Sequence, residues 1–216
     1  MKLFALTVAA LLPCIAATPD VDKNKTMGNP SAPLMFELYS DFMCPHCKVM
    51  HETILPSIVQ DYVKSGKAYL IFREYPLQIP QHVYSRAAAA LAVAAGRVGK
   101  YQAVNDALFK TQTSWGQTGK LWDAVAPVLT PDEQKKVQAL ANDPSVLAEV
   151  QGDVDRGMKS QVNETPTLMI TYGSVMMTCP INNRVKRSNS RYSLKASTRP
   201  TPITSEGKVS GSMKRF

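Results

Sequence analysis

Between residues 33 and 173 the apolar positions alternate between two rhythms. Residues 33–42, PLMFELYSDF, form a short apolar and aromatic run bounded by Pro33, which predicts a β-strand. It leads directly into Cys44-Pro45, after which Cys47, Met50, Ile54, Ile58 and Tyr62 recur at intervals of three and four. That spacing lines one face of a helix. Pro45 suits its first turn, Pro56 is expected to kink it, and KSGK ends it near Gly66. Residues 68–77, AYLIFREYPL, predict a second strand, and strand–helix–strand in that order implies a parallel crossover. From about 80 to 160 the pattern is helical. The alanine-rich stretch SRAAAALAVAAG lets neighbouring elements approach closely, and Thr130-Pro131-Asp132-Glu133 reads as a capping box. Asp143-Pro144 opens another helix in the same way, and strand character returns at 167–173, TLMITYG, straight after Thr165-Pro166. The order implies an α/β domain, with helices covering a mostly parallel sheet and a helical insertion at about 80–160.

The first residues change where such a domain is expected to work. Lys2 precedes a short apolar run, 3–17, that ends in small residues. This reads as a secretory signal peptide over residues 1–17 and implies a periplasmic or otherwise extracytoplasmic protein. Removing it leaves Cys44, Cys47 and Cys179, and in an exported chain paired cysteines default to a disulfide. The net charge of +8 suggests a nucleic-acid partner until its distribution is read. Residues 174–216 hold nine bases and one acid, whereas residues 1–173 hold sixteen of each. The body has no basic footprint for DNA or RNA.

Cys44-Pro45-His46-Cys47 carries the candidate chemistry. A cysteine in the first turn of a helix meets unsatisfied N–H groups, which stabilise its thiolate, the reacting form. Cys44, nearer the helix end and more exposed, is the expected nucleophile. Cys47, one turn deeper, is expected to resolve mixed disulfides. His46 is expected to donate a hydrogen bond or add positive charge beside the Cys44 sulfur. Stabilising the reduced form in this way makes the disulfide a stronger oxidant. Two other readings stand beside the redox couple. The pair can be a structural staple, or Cys44, Cys47 and His51 can form a C-x2-C-x3-H metal set, with Cys179 or His82 as a fourth ligand. His51 also reads as a helix-surface residue, and His82 as a structural or capping one.

These motifs together resemble the DsbA-like thiol–disulfide oxidoreductases of the thioredoxin superfamily. GNPSAPLMFELYSDFMCPHCK, FREYPL and NETPTLMITYG carry the resemblance, over roughly residues 26–173. It implies a thioredoxin-like sheet with an inserted helical subdomain, and a cis proline at Pro166 lying against the Cys44–Cys47 disulfide. Thr165 would then pair through its backbone with an extended substrate. The implied activity is insertion of disulfides into newly exported proteins bearing free thiols. Reoxidation by a DsbB-like, quinone-linked membrane partner, a monomeric state, and no cofactor beyond the disulfide are also implied. Isomerase and reductase activities on the same fold remain alternatives. In this superfamily a buried acid beneath the pair often relays protons. Glu37 and Asp41 are candidates, although Leu38 stands nearest the family's position.

After Gly173 the family pattern, a further strand and a closing helix, is not continued. Residues 174–216 are rich in Ser, Thr, Lys and Arg, with interrupting prolines and no apolar helical face. By composition this is a basic, disordered tail. Its abrupt start points to a change of reading frame, with the C-terminal strand and helix missing or replaced.

Overall fold

The computed structural model describes residues 23–181; the leader at 1–17 and the tail from 182 onward lie outside the described residues. Five strands form one sheet in the order β1 (Thr26–Met27), β3 (Ala68–Glu74), β2 (Leu34–Ser40), β4 (Thr167–Tyr172), β5 (Val175–Pro180). The crossover from β2 to β3 is parallel, as expected. The other three pairings are antiparallel, so the sheet is not mostly parallel. Among the described residues only the connection from β2 to β3 is a simple helical crossover. β4 returns after the whole helical insertion, and β5 follows by a tight hairpin.

That hairpin corrects the boundary placed at Gly173. Tyr172 pairs with Val175 across a two-residue turn, and Gly173 supplies a φ of +57°, a conformation open to glycine. The apolar Val175, Met176 and Met177 continue the strand pattern for half a strand before the polar residues begin. The fifth strand is therefore present, within what the composition assigned to an unpatterned tail.

The helix after the cysteines is continuous but uneven. α1 (Pro45–Val49) and α2 (Leu55–Ile58) alternate with wider π turns at Met50–Ile54 and Val59–Val63. Pro56 lies in the first turn of α2, directly after a π turn whose wider winding accommodates its ring and missing N–H. The insertion comprises α3 (Ser85–Gly96), α4 (Tyr101–Lys110), α5 (Gln112–Thr118), α6 (Leu121–Val125), α7 (Pro131–Leu140) and α8 (Pro144–Lys159). Thr130 and Glu133 form the reciprocal capping box, and Asp143 caps α8 by accepting from the Ser145 N–H. Alanines 88, 89, 90, 92, 94 and 95 are all buried, which is the close approach their size allows.

The two faces of the sheet differ. Phe36, Leu38, Leu70 and Phe72 meet α1, α3 and α4 in the large core, while Tyr39 and Met169 join Val162 in a small cluster on the other face. Gly157 of α8 permits that second contact, since a Cβ there would fall 2.4 Å from the Tyr75 ring. No helix among the described residues is long and apolar enough to cross a membrane.

Candidate functional site

The site begins at the carboxyl end of β2, where the chain turns into α1. Cys44 is the N-cap, with extended backbone angles, and Pro45 occupies the first turn. Both cysteines are free thiols and both are buried, Cys44 at 5% exposure and Cys47 at 1%. The expected difference in exposure is thus small, and what separates the two sulfurs is their hydrogen bonding. The Cys44 thiol is lowered to about 5, chiefly by the hydrogen bond from the Cys47 thiol, against the opposing cost of burial. Thr165 and the backbone N–H groups of Cys47 and His46 add further donors. Here His46 acts on the sulfur through its backbone N–H. Cys47 moves the opposite way: burial, then the neighbouring Cys44, push its thiol well above the ordinary range. One sulfur is therefore a thiolate at neutral pH and the other a thiol.

Thr165 and Pro166 reach the same place from a distant part of the chain. The Thr165–Pro166 peptide is cis, and the Thr165 carbonyl lies 3.4 Å from the Cys44 sulfur, accepting from it when it is a thiol. The Thr165 hydroxyl is buried and has no other partner, so it is placed to donate once the sulfur ionises.

Asp41 organises the turn. Its backbone N–H donates to the Cys47 sulfur at 3.4 Å. Its fully buried carboxylate accepts from the Met43 and Leu77 N–H groups, each at 2.7 Å, and from the Ser85 hydroxyl. His82 Nδ1 lies 2.7 Å from the same carboxylate. Asp41 is thus a structural hub, and His82 has the structural role its position suggested. Glu37 lies on the opposite face of the sheet, bound to Arg73 at 2.7 and 2.9 Å, away from the cysteines. His51 stacks on Phe109, and its Nε2 lies 2.8 Å from Asp106. Among the described residues no three His, Cys, Asp or Glu side chains gather as a metal site.

The insertion closes the site from above. Gln112 of α5 donates through Nε2 to the Phe42 carbonyl at 2.7 Å and the Cys44 carbonyl at 2.9 Å. Lys48 of α1 reaches back to the Phe109 and Lys110 carbonyls. The result is a thiolate at a helix start, a buried partner thiol, and a cis-proline loop against them.

The sequence profile of the family described as Thioredoxin matches residues 20–176. The chain belongs to this family, in its DsbA-like branch. Disulfide bond formation protein D of Bacillus subtilis is 22% identical over 165 residues, covering 72% of this chain and 71% of its own. A provisionally named protein-disulfide oxidoreductase of Rickettsia bellii is 27% identical over 122 residues. That match covers 54% of this chain and 46% of the relative, so the chain spans about half that protein's length. A variant of alpha-DsbA1 from Wolbachia pipientis superposes with a TM-score of 0.59 at 25% identity, over 76% of this chain and 79% of that one.

In this DsbA-like fold Cys44, Pro45, His46, Cys47, Thr165 and Pro166 come together at one locus. Three participants had no sequence signal. Gln112 sits in an ordinary polar stretch, QTSWGQT, and Tyr101 reads as the start of a surface helix. Glu74 looks like the charged end of a strand, yet it is fully enclosed and accepts from the Tyr101 hydroxyl at 2.6 Å.

Proposed function

We propose that the protein is an exported thiol–disulfide oxidase that introduces disulfides into newly secreted proteins. The observation that carries this reading is the asymmetry of the pair, with Cys44 lowered to about 5 above a Cys47 held as a thiol. A stabilised Cys44 thiolate favours the reduced enzyme, and so makes the oxidised pair a strong acceptor of electrons. In the reaction a substrate thiolate attacks the Cys44 sulfur of the Cys44–Cys47 disulfide, and Cys47 leaves. A second substrate thiolate then attacks the substrate sulfur of the mixed disulfide. Cys44 departs readily because its thiolate is stable. The disulfide itself carries the two electrons, so this reading requires no metal or organic cofactor.

The same reading places the chain outside the cytoplasm, led there by residues 1–17. It works as a monomer on unfolded proteins with free thiols, and a DsbB-like, quinone-linked membrane partner reoxidises it. A glutathione redox titration, scored by alkylating Cys44 and Cys47, tests the direction of electron flow. The expected potential lies nearer about −120 mV than the roughly −270 mV of thioredoxin-like reductants. A value at the lower end would turn the assignment to a reductase.

A further inference from the structure

The cis-proline loop leaves α8 abruptly. Gln161 takes a φ of +57°, rare for a residue with a side chain, and the next residue, Val162, is buried. Val162 is held in three ways. Its N–H donates to the Gly157 carbonyl at 2.9 Å, its side chain joins Tyr39 and Met169 in the small cluster, and its carbonyl accepts from the Tyr75 hydroxyl at 2.9 Å. Three residues later the Thr165 carbonyl lies against the Cys44 sulfur. What fixes Val162 therefore bears on where Thr165 stands.

Tyr75 is tied to the cysteine turn as well. It directly follows β3, and its N–H donates to the Ser40 carbonyl at 2.8 Å. Two residues on, the Leu77 N–H donates to the Asp41 carboxylate at 2.7 Å. Ser40 and Asp41 lead into the turn that carries Cys44. The short segment 75–77 is thus bonded to the chain before Cys44 and, through one phenol, to the chain before Thr165. We propose that Tyr75 is a positioning residue for the thiol–disulfide site, its hydroxyl setting the cis-proline loop against Cys44 from the face of the sheet away from the cysteines.

The ring is built to hold that bond. It meets Tyr39 edge-on, with centroids 5.8 Å apart, in the space that Gly157 leaves clear. Burial pushes the phenol above its ordinary value, so it is a donor at neutral pH. Other contacts steady the loop without referring it to the cysteine turn. The Thr167 hydroxyl donates to the Glu164 carbonyl at 2.7 Å, and the Ile181 N–H donates to the Pro166 carbonyl at 3.1 Å. Phenylalanine at position 75 would keep the ring packing and strip only the Val162 carbonyl of its donor, so the role of the hydroxyl can be tested by itself.

The inference rests on the thiol–disulfide reading, and one titration separates the two. Thiolate absorbance at 240 nm is followed against pH in the reduced full-length native chain, Tyr75→Phe, Thr165→Val and the double variant. A native midpoint at the ordinary thiol value near 9 overturns the oxidase reading, and this inference with it. With the native midpoint near 5, Tyr75→Phe is expected to raise it by about half a unit, or about threefold in the ionisation constant, because the Thr165 hydroxyl is no longer held at the sulfur. In the Thr165→Val background the same change should add no further rise. A midpoint that Tyr75→Phe leaves near 5 overturns the inference, even if urea unfolding shows lost stability, because that is the mark of a purely structural hydroxyl. So does an equal rise in both backgrounds, which would mean that Tyr75 reaches Cys44 by a route other than the Thr165 loop.

Discussion

Cys44 and Cys47 are the same residue type three positions apart, and their environments drive them in opposite directions. The N-cap position gives Cys44 the free backbone N–H groups of a helix start, but the largest influence on it is the thiol of Cys47. This ranking can be tested by following thiolate absorbance at 240 nm against pH in the reduced protein. The native midpoint is expected near 5. Cys47→Ala, which removes the donor, should raise it by about one unit or more, and Cys47→Ser, which keeps a hydroxyl donor, should raise it less. If Cys47→Ala leaves the midpoint in place, Thr165 and the backbone donors hold the thiolate without it. The sign fixes the linkage as well. A thiol depressed in the folded state adds stability to the reduced fold above its ordinary value near 9, and that contribution declines with falling pH and is gone below about 5.

At the scale of elements, the long strands and capped helices were legible because their signals are local. Strands β2, β3 and β4 carry apolar runs with turn residues at their ends, and Thr130–Glu133 and Asp143–Pro144 satisfy helix N-termini with side chains two or three residues away. The Cys-Pro-His-Cys turn was legible for the same reason. β1 is two residues long and has no period to detect, and β5 begins apolar and then fades into polar sequence. Arg73 and Glu74 read as a polar strand end, yet each meets its partner only after the chain folds, Arg73 with Glu37 and Asp153, Glu74 with Tyr101. Gln112 escaped for a related reason, since its two acceptors lie about 70 residues earlier. Gln112→Ala strips the Phe42 and Cys44 carbonyls of a buried donor. The expected loss in a urea titration is about 1–3 kcal/mol. An unchanged midpoint would mean that other groups satisfy those carbonyls.

Across the whole molecule, one ionic cluster ties the start of the described chain to its last long helix. Asp153 of α8 pairs with Lys25 before β1 and with Arg73 of β3 at 3.0 Å, and it accepts from the Glu74 N–H at 3.0 Å. Lys25 also pairs with Glu149 at 2.9 Å, and Arg73 holds Glu37. Lys25, Arg73 and Asp153 are all buried, so removing the shared carboxylate leaves two cations with incomplete neutralisation. Asp153→Ala is expected to cost about 3–5 kcal/mol in denaturant unfolding; a cost under about 1 kcal/mol would show that Glu37 and Glu149 suffice. The span of the cysteine site has a consequence during synthesis. The carbonyl beside the Cys44 sulfur belongs to a residue 121 positions later. A growing chain therefore presents Cys44 with its local donors, Cys47 foremost, well before the Thr165 loop has been made. The partner that ranks first is built first, and the contact that closes over the sulfur is among the last to arrive.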